Sequence, residues 1–383
     1  MKILIIGGHL SPALCVMENL KNEEIFYVGR KHAMEGDSAF SLEYKVVSKL
    51  QIPFYDITAA RFQRKFTRHS LPSLFKFPKG FIQALLILRK IKPDVVVGFG
   101  GYVSIPIVIS AYFLKIPVVI HEQTLEIGFA NKILSPFATK ICISWESSKK
   151  FFPQGKTILT GLPIKKEIIN AKTSIRSAST VSTRGEQAQD KKDKHDLPFL
   201  YITGGSLGSH KINLLVEKIL PQLLQNFIVF HQTGDSKMFN DFDRLKNLKD
   251  NLNVLLRPRY TVKKFLHSEE ITDVLAKSDM VVSRAGINTV AELAFLQKPA
   301  FLIPIHFSQR NEQLKNAYIL KDTGLGEIGD ETVLTFRELL SSLLQMQKNL
   351  NQYKVRKAQV LLDEKASDKI INVIKDVARQ KKT

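Results

Sequence analysis

Residues 199–209, Phe-Leu-Tyr-Ile-Thr-Gly-Gly-Ser-Leu-Gly-Ser, decide the fold: a short apolar run ends in a glycine-rich turn, and a helix is predicted near Lys211–Leu224. A strand this apolar along its whole length needs cover on both faces, the condition of a parallel sheet with helices on either side. Glycines let the backbone approach a ligand, the first amides of the helix face an anion, and Ser206 adds a hydroxyl donor for a phosphate oxygen. The same residues also suit an ordinary tight strand–helix turn. They form neither a Walker A loop, since no Gly-Lys-Ser/Thr follows, nor a dinucleotide fingerprint.

The rhythm extends in both directions. Phe227–His231, Asn253–Leu256, Met280–Ser283 and Ala300–Ile303 read as further strands, with helices near Thr289–Phe295 and Asn311–Leu320. In the first half Ile3–Ile6, Ile25–Val28, Val95–Val97, Val118–Ile120 and Lys140–Ile143 read as strands, with helices such as Pro12–Leu20 and Gly80–Lys90. The alternation predicts βαβ units and two doubly wound α/β domains, whose ligands would sit in a cleft outside the carboxyl ends of both sheets. Between them, residues 171–196 are rich in Ser, Thr, Lys and Asp, and read as a flexible insertion. The expected boundaries are 1–163, a linker 164–197, 198–349, and a basic helical tail 350–383 that returns toward the first domain.

At 383 residues and 44% hydrophobic content, two cores are expected. Cys15 and Cys142 sit in apolar contexts, form no CxxC pair and read as buried small hydrophobes of a reducing compartment. No export signal is expected from Ile3–Ile6, and Ile105–Ile120, interrupted by Lys115 and two prolines, is too broken to span a bilayer. The formal charge of +20 demands an acidic partner: nucleic acid, an anionic membrane or a phosphorylated substrate. Nucleic acid is the poorest fit, because stacking motifs, a helix-turn-helix and zinc spacing are all missing. From Ile57 to Pro93 there is no Asp or Glu but nine Lys and Arg, interleaved with phenylalanines. There Phe81, Ile82, Leu85, Leu86 and Leu88 would dip into an anionic headgroup layer, although a solvated face over a core helix has the same composition.

A second glycine turn, Ser283-Arg284-Ala285-Gly286-Ile287-Asn288-Thr289, opens a helix with Glu292 expected in its first turn, an acid placed to accept ribose hydroxyls or merely to complement the helix N-terminus. The first half offers Gly7-Gly8-His9, Gly100-Gly101-Tyr102-Val103-Ser104 and His121-Glu122-Gln123, all directly after strands. His9, Tyr102, His121 and Glu122 would therefore meet at one sheet edge as an acid/base cluster. Asp241-Phe242-Asp243 is the one metal-like motif, and its solvated context argues against a metal role.

These motifs, with Gly128…Asn131-Lys132 and Gln313…Asn316-Ala317, occur in an order that resembles the MurG family from residue 1 to about 345. The resemblance implies a GT-B fold, no metal or cofactor, and a peripheral position on the cytoplasmic side of the cell membrane. It implies inverting transfer of N-acetylglucosamine from UDP-GlcNAc to the 4-hydroxyl of the muramyl residue of lipid I, forming lipid II. On that pattern Gly205, Ser206, Leu207 and Gly208 would hold the donor diphosphate, with Asn213 and Arg284 nearby. Gly286, Ile287, Asn288, Thr289, Val290, Ala291 and Glu292 would hold the nucleoside, with Glu292 on the ribose. Glu312 and Gln313 would face the sugar hydroxyls, and Lys165 falls where the family usually carries an Arg near the donor. His9 would be the base facing the acceptor, beside Tyr102, His121 and Glu122, with Thr124 and Asn131 also binding substrate. The chain departs from the pattern in a shorter first glycine loop, in Thr124 and Leu162 where Asn is usual, in Glu312 and in the 171–196 insertion. Another GT-B enzyme acting on UDP-GlcNAc, a lipid-sugar transferase or a 2-epimerase, would share many of these features.

Overall fold

The computed structural model describes residues 1–32, 40–58, 70–182, 197–205, 207–236, 238–307, 311–355 and 363–380, without the side chains of 70–77 and 176–182. The chain divides into two units, Met1–Ile164 with Leu362–Thr383, and Lys165–Leu361.

In chain order the first unit runs β1 (Lys2–Ile6), α1 (Leu10–Met17), β2 (Glu24–Gly29), α2 (Leu42–Lys49), β3 (Phe54–Asp56), α3 (Ser70–Ile91), β4 (Val95–Gly98), α4 (Ser104–Phe113), β5 (Val118–Glu122), α5 (Phe129–Leu134), β6 (Lys140–Ile143) and β7 (Thr157–Leu159). The second runs α6 (Lys166–Ser182), β8 (Phe199–Thr203), α7 (His210–Asn226), β9 (Ile228–Gln232), α8 (Asp241–Asp250), β10 (Tyr260–Lys263), α9 (Ser268–Lys277), β11 (Met280–Ser283), α10 (Ile287–Leu296), β12 (Ala300–Leu302), α11 (Glu312–Asp322), β13 (Gly326–Ile328) and α12 (Phe336–Lys348). The last helix, α13 (Ala366–Gln380), belongs to the first unit and packs on α1 and strands β4 to β6.

Both sheets are wholly parallel, in the orders β3-β2-β1-β4-β5-β6-β7 and β10-β9-β8-β11-β12-β13. Each is a Rossmann-like doubly wound sheet, reversing between β1 and β4 and between β8 and β11, the points where such sheets bind ligands. The apolar strands follow from double burial. Along β1, Leu4 and Ile6 face a core shared with Ala84 and Leu88 of α3 and Ile107 of α4. Ile3 and Ile5 face the opposite layer, with Ala13 of α1 and Ile370 and Ile374 of α13. The pleat sends alternate side chains to opposite layers, so every position of the strand has to be apolar. Cys15 and Cys142 are buried and form no disulfide.

Several sequence expectations need correction. Asn253–Leu256 is no strand: Val254 and Leu255 lie in the open, and β10 begins after Arg257-Pro258-Arg259, where Tyr260 is buried. The strands β3, β7 and β13 were not expected; each is a three-residue edge strand, partly exposed, and so lacks the unbroken apolar run that marked the buried strands. The polar stretch from residue 171 starts inside α6 and so is helical as far as 182; residues 183–196 lie outside the described residues. The tail is a short 3-10 turn at Leu350–Gln352 and then α13, rather than one continuous helix. Leu88, expected at a membrane, is buried in the first unit's core; Ile82 and Leu86 are 59% and 61% exposed.

Candidate active site

In the first unit the turns after β1 and β4 meet at the switch point. The His9 amide donates to the Phe99 carbonyl at 3.0 Å. A Cβ on Gly8 would stand 2.2 Å from the Gly100 carbonyl oxygen, so only glycine lets the two turns touch. The His9 imidazole lies against Gly100, and solvent reaches it, yet the surrounding protein crowds the ring. That desolvation holds its pKa below the ordinary imidazole value, against the pull of the Glu122 charge. Tyr102 lies half-buried beside the same turn, with the Arg30 guanidinium 5.3 Å from its ring centre.

His121 and Glu122 end β5 and face inward. Burial drives the His121 pKa down to about 3, so the ring is neutral; Nε2 lies 3.2 Å from Ser144 Oγ, and Nδ1 has no partner among the described residues. The Glu122 carboxylate is 1% exposed and takes four hydrogen bonds: Thr124 N at 3.1 Å and Thr124 Oγ1 at 2.6 Å on Oε1, Gly128 N at 2.8 Å and Asn131 Nδ2 at 3.0 Å on Oε2. Two oxygens offer about four lone-pair sites, and all are engaged. Glu122 thus clamps the 124–131 turn and the start of α5, while lending its charge to His9. Thr124 and Asn131, expected to touch substrate, spend these donors on Glu122; the Asn131 Oδ1 is buried without a partner among the described residues.

In the second unit the turns after β8 and β11 meet at the other switch point. The Thr203 hydroxyl accepts from Gly205 N at 3.0 Å and donates to Gln232 Oε1 at 3.2 Å, tying the turn to the end of β9. Gly208 has φ +78°, and a Cβ there would stand 1.9 Å from the Thr233 carbonyl oxygen, so the turn rests directly on the β9 turn. Ser206 lies outside the described residues; Leu207 projects into solvent. Arg284 bridges the two turns rather than facing outward: it donates to Ser209 Oγ at 2.7 Å, to the Ile303 carbonyl at 3.0 Å and to Glu331. Asn213 is also turned inward and is completely buried.

Gly286 caps α10 with no side-chain acceptor, which leaves the first amides, from Ile287, Asn288 and Thr289, directed out of the helix end. Val290 and Ala291 are buried in that helix. Glu292 is its sixth residue, in the second turn rather than the first, so complementing the helix end does not explain it. Its Oε1 pairs with Lys165 Nζ at 3.1 Å, which brings two of the sequence-predicted residues together. Gln313 Oε1 accepts from Ile305 N at 3.1 Å, beside Glu312 at the start of α11. Sequence reasoning missed Thr233-Gly234, the floor beneath Gly208; a Thr-Gly pair one residue beyond the predicted strand was the available signal.

Residues 6–143 match the glycosyltransferase family 28 N-terminal domain and residues 199–374 the family 28 C-terminal domain. Among relatives, a UDP-N-acetylglucosamine--N-acetylmuramyl-(pentapeptide) pyrophosphoryl-undecaprenol N-acetylglucosamine transferase of Lachnospira eligens is 33% identical over 98% of this chain and 99% of its own. A protein of the same name from Clostridium perfringens is 34% identical over 92% of both chains. Among solved structures, Acinetobacter baumannii MurG superposes with TM-score 0.68 at 23% identity, covering 98% of this chain and 99% of that one. A Neisseria meningitidis UDP-GlcNAc 2-epimerase bound to UDP-GlcNAc gives TM-score 0.63 at 15% identity, covering 98% and 100%. These structural likenesses speak to the fold.

Proposed function

The chain belongs to glycosyltransferase family 28 and to its MurG group, and from that premise we propose how its two sites carry out transfer of N-acetylglucosamine from UDP-GlcNAc to lipid I, giving lipid II. The observation that carries the reading is the second unit's switch point. There two glycine turns, joined by Arg284 and Ser209, stand beside the uncapped start of α10 and a buried, lysine-paired Glu292.

The donor diphosphate lies against the glycine-turn amides and the first turn of α10, where fixed N–H dipoles meet the charge that grows on departing UDP. Donors of this kind are worth roughly 2.7–4 kcal/mol each in comparable sites. Ser206 adds a hydroxyl. Glu292 accepts the ribose hydroxyls, with Lys165 releasing one carboxylate oxygen and turning toward phosphate. Gln313 and Glu312 face the sugar. Asn213 and Arg284 act from behind, shaping the turns.

At the other switch point His9 is the base. Its depressed pKa leaves it neutral near pH 7 with a lone pair free for the acceptor's 4-hydroxyl proton. The oxygen then attacks the anomeric carbon from the face opposite the phosphate, the bond from that carbon to the phosphate oxygen breaks, UDP leaves with the electron pair, and the configuration inverts. Tyr102 lines the acceptor side; buried, neutral His121 and clamped Glu122 hold the surroundings of His9.

The protein meets an anionic bilayer surface through the basic 57–93 region, of which Ile82 and Leu86 on α3 are exposed apolar residues. Residues 59–69 of that region lie outside the described residues, and among the described residues no helix is long and apolar enough to cross a membrane. On this reading the enzyme works at the cytoplasmic face of the membrane, and its acidic partners are the sugar nucleotide, the lipid-linked diphosphate and the bilayer rather than nucleic acid.

The test incubates purified protein with UDP-GlcNAc and a lipid I analogue, looking for the disaccharide, and measures UDP binding by calorimetry. Glu292→Ala is expected to weaken UDP at least tenfold, for loss of a charged hydrogen-bond acceptor worth about 1.5–3 kcal/mol. His9→Ala is expected to lower turnover with UDP affinity kept. Unchanged UDP affinity in Glu292→Ala sinks the nucleoside assignment.

A further inference from the structure

Asp241, which the sequence offers as part of a metal-like Asp-Phe-Asp, begins α8 and is almost wholly buried. Its Oδ1 accepts from Arg244 at 2.6 Å and lies 2.8 Å from His210 Nδ1; its Oδ2 accepts from Asn213 Nδ2 at 2.8 Å. The same Asn213 nitrogen donates to the Thr233 carbonyl at 3.0 Å. Carboxylate and carbonyl only accept, so the orientation of the Asn213 amide is forced: nitrogen toward Asp241 and Thr233, oxygen toward His231. His231 Nε2, 3.0 Å from Asn213 Oδ1, must then carry the proton, and Nδ1 must accept from the Tyr260 hydroxyl, also at 3.0 Å. Burial lowers the His231 pKa to about 3, which keeps the ring in this neutral form. Every member of the chain has one role open to it, and each role is filled.

The Thr233 carbonyl, one end of this chain, is the oxygen on which Gly208 rests. His210 and Asn213 lie in the first turn of α7, directly after the same glycine turn. Asp241 therefore grips the helix the turn leads into, through His210 and Asn213, and reaches the carbonyl beneath the turn only through Asn213. We propose that Asp241 is a positioning residue for the Leu207–Ser209 end of the glycine turn, acting through Asn213, and that it sets the affinity for the nucleoside diphosphate part of the donor. The inference rests on the reading that this turn holds the donor diphosphate.

The substitution Asp241→Asn replaces one accepting oxygen by an NH2 group that must face either the Asn213 amide or Arg244. UDP binding, measured by calorimetry on the full chain, is expected to weaken about tenfold, with kcat at saturating UDP-GlcNAc within about twofold. Asn213→Ala removes the link without placing donor against donor, and gives the same answer should Asp241→Asn fail to fold. Leu275→Ala, a buried change in α9, supplies a comparable loss of Tm and is expected to keep UDP affinity. Equal weakening in Leu275→Ala overturns the proposal in favour of general loosening. Unchanged affinity in Asp241→Asn or Asn213→Ala, with Glu292→Ala weakened, overturns it while the donor site stands. Unchanged affinity in all of these overturns both.

Discussion

Glu122→Gln is the sharpest probe of the first unit, because the geometry states what the substitution breaks. If the new NH2 group takes the place of Oε2, it points at Gly128 N and Asn131 Nδ2, both donors; in place of Oε1 it points at Thr124 N. At least one charge-assisted hydrogen bond, worth about 1.5–3 kcal/mol, is lost and a buried donor is left facing a donor. The relieved burial of a charge offsets part of this, so about 2 kcal/mol of stability should go. At 2–4 °C per kcal/mol for a unit of this size, its unfolding should move down by about 4–8 °C in differential scanning calorimetry. A second readout follows from sign. The Glu122 charge raises the His9 pKa, so removing it should shift the acid limb of the kcat/KM profile to lower pH. A Tm change below about 1 °C would refute the clamp. An acid limb that stays put or moves up would refute His9 as the base that Glu122 senses.

Two further outcomes are expected. His121 and His231 both have folded pKa values near 3 against about 6.5 when unfolded, so above pH 6.5 neither affects stability. As pH falls below 6.5 the unfolded chain binds the extra protons, and each histidine should remove up to about 1.4 kcal/mol per pH unit. Tm measured from pH 7 to 4 should fall less steeply in His231→Gln, and an unchanged slope would contradict the buried neutral ring. Ile82→Ser with Leu86→Ser should lower partition onto vesicles of anionic phospholipid about tenfold or more, from the apolar area withheld. Sedimentation with vesicles checks this, and equal binding by the double variant would remove α3 from the membrane surface.

The long buried strands were readable because burial on both faces forces an apolar residue at every position: Phe199–Thr203 and Met280–Ser283 lie where the pattern puts them. The edge strands β3, β7 and β13 were not readable, since three partly exposed residues show neither a period nor an unbroken apolar run. Val254 and Leu255 imitate a strand because an exposed apolar pair and a buried one have the same letters; only Arg257-Pro258-Arg259, with its proline unable to donate to a ladder, marks the run as a loop.

The site divides in the same way. Glycine turns after strands announce themselves locally, and all of those named are found at the sheet edges. Whether a polar side chain faces the crevice or the interior depends on partners that the local sequence does not contain. Arg284 turns inward because Glu331, 47 residues on, and Ser209, 75 residues back, receive its guanidinium. Asn213 turns inward because Asp241, 28 residues on, takes its amide nitrogen. Glu122 is spent within its own turn, on Thr124, Gly128 and Asn131, yet that too is invisible until the turn closes. A sequence motif thus names the residues that gather at a switch point without saying which of them meet the ligand. In this chain the inward set, Glu122, Asn131, Asn213 and Arg284, holds the backbone whose amides and glycines form the proposed binding surface. Substituting these residues should therefore act on affinity and folding through that backbone, as the Glu122 and Asp241 variants are built to reveal.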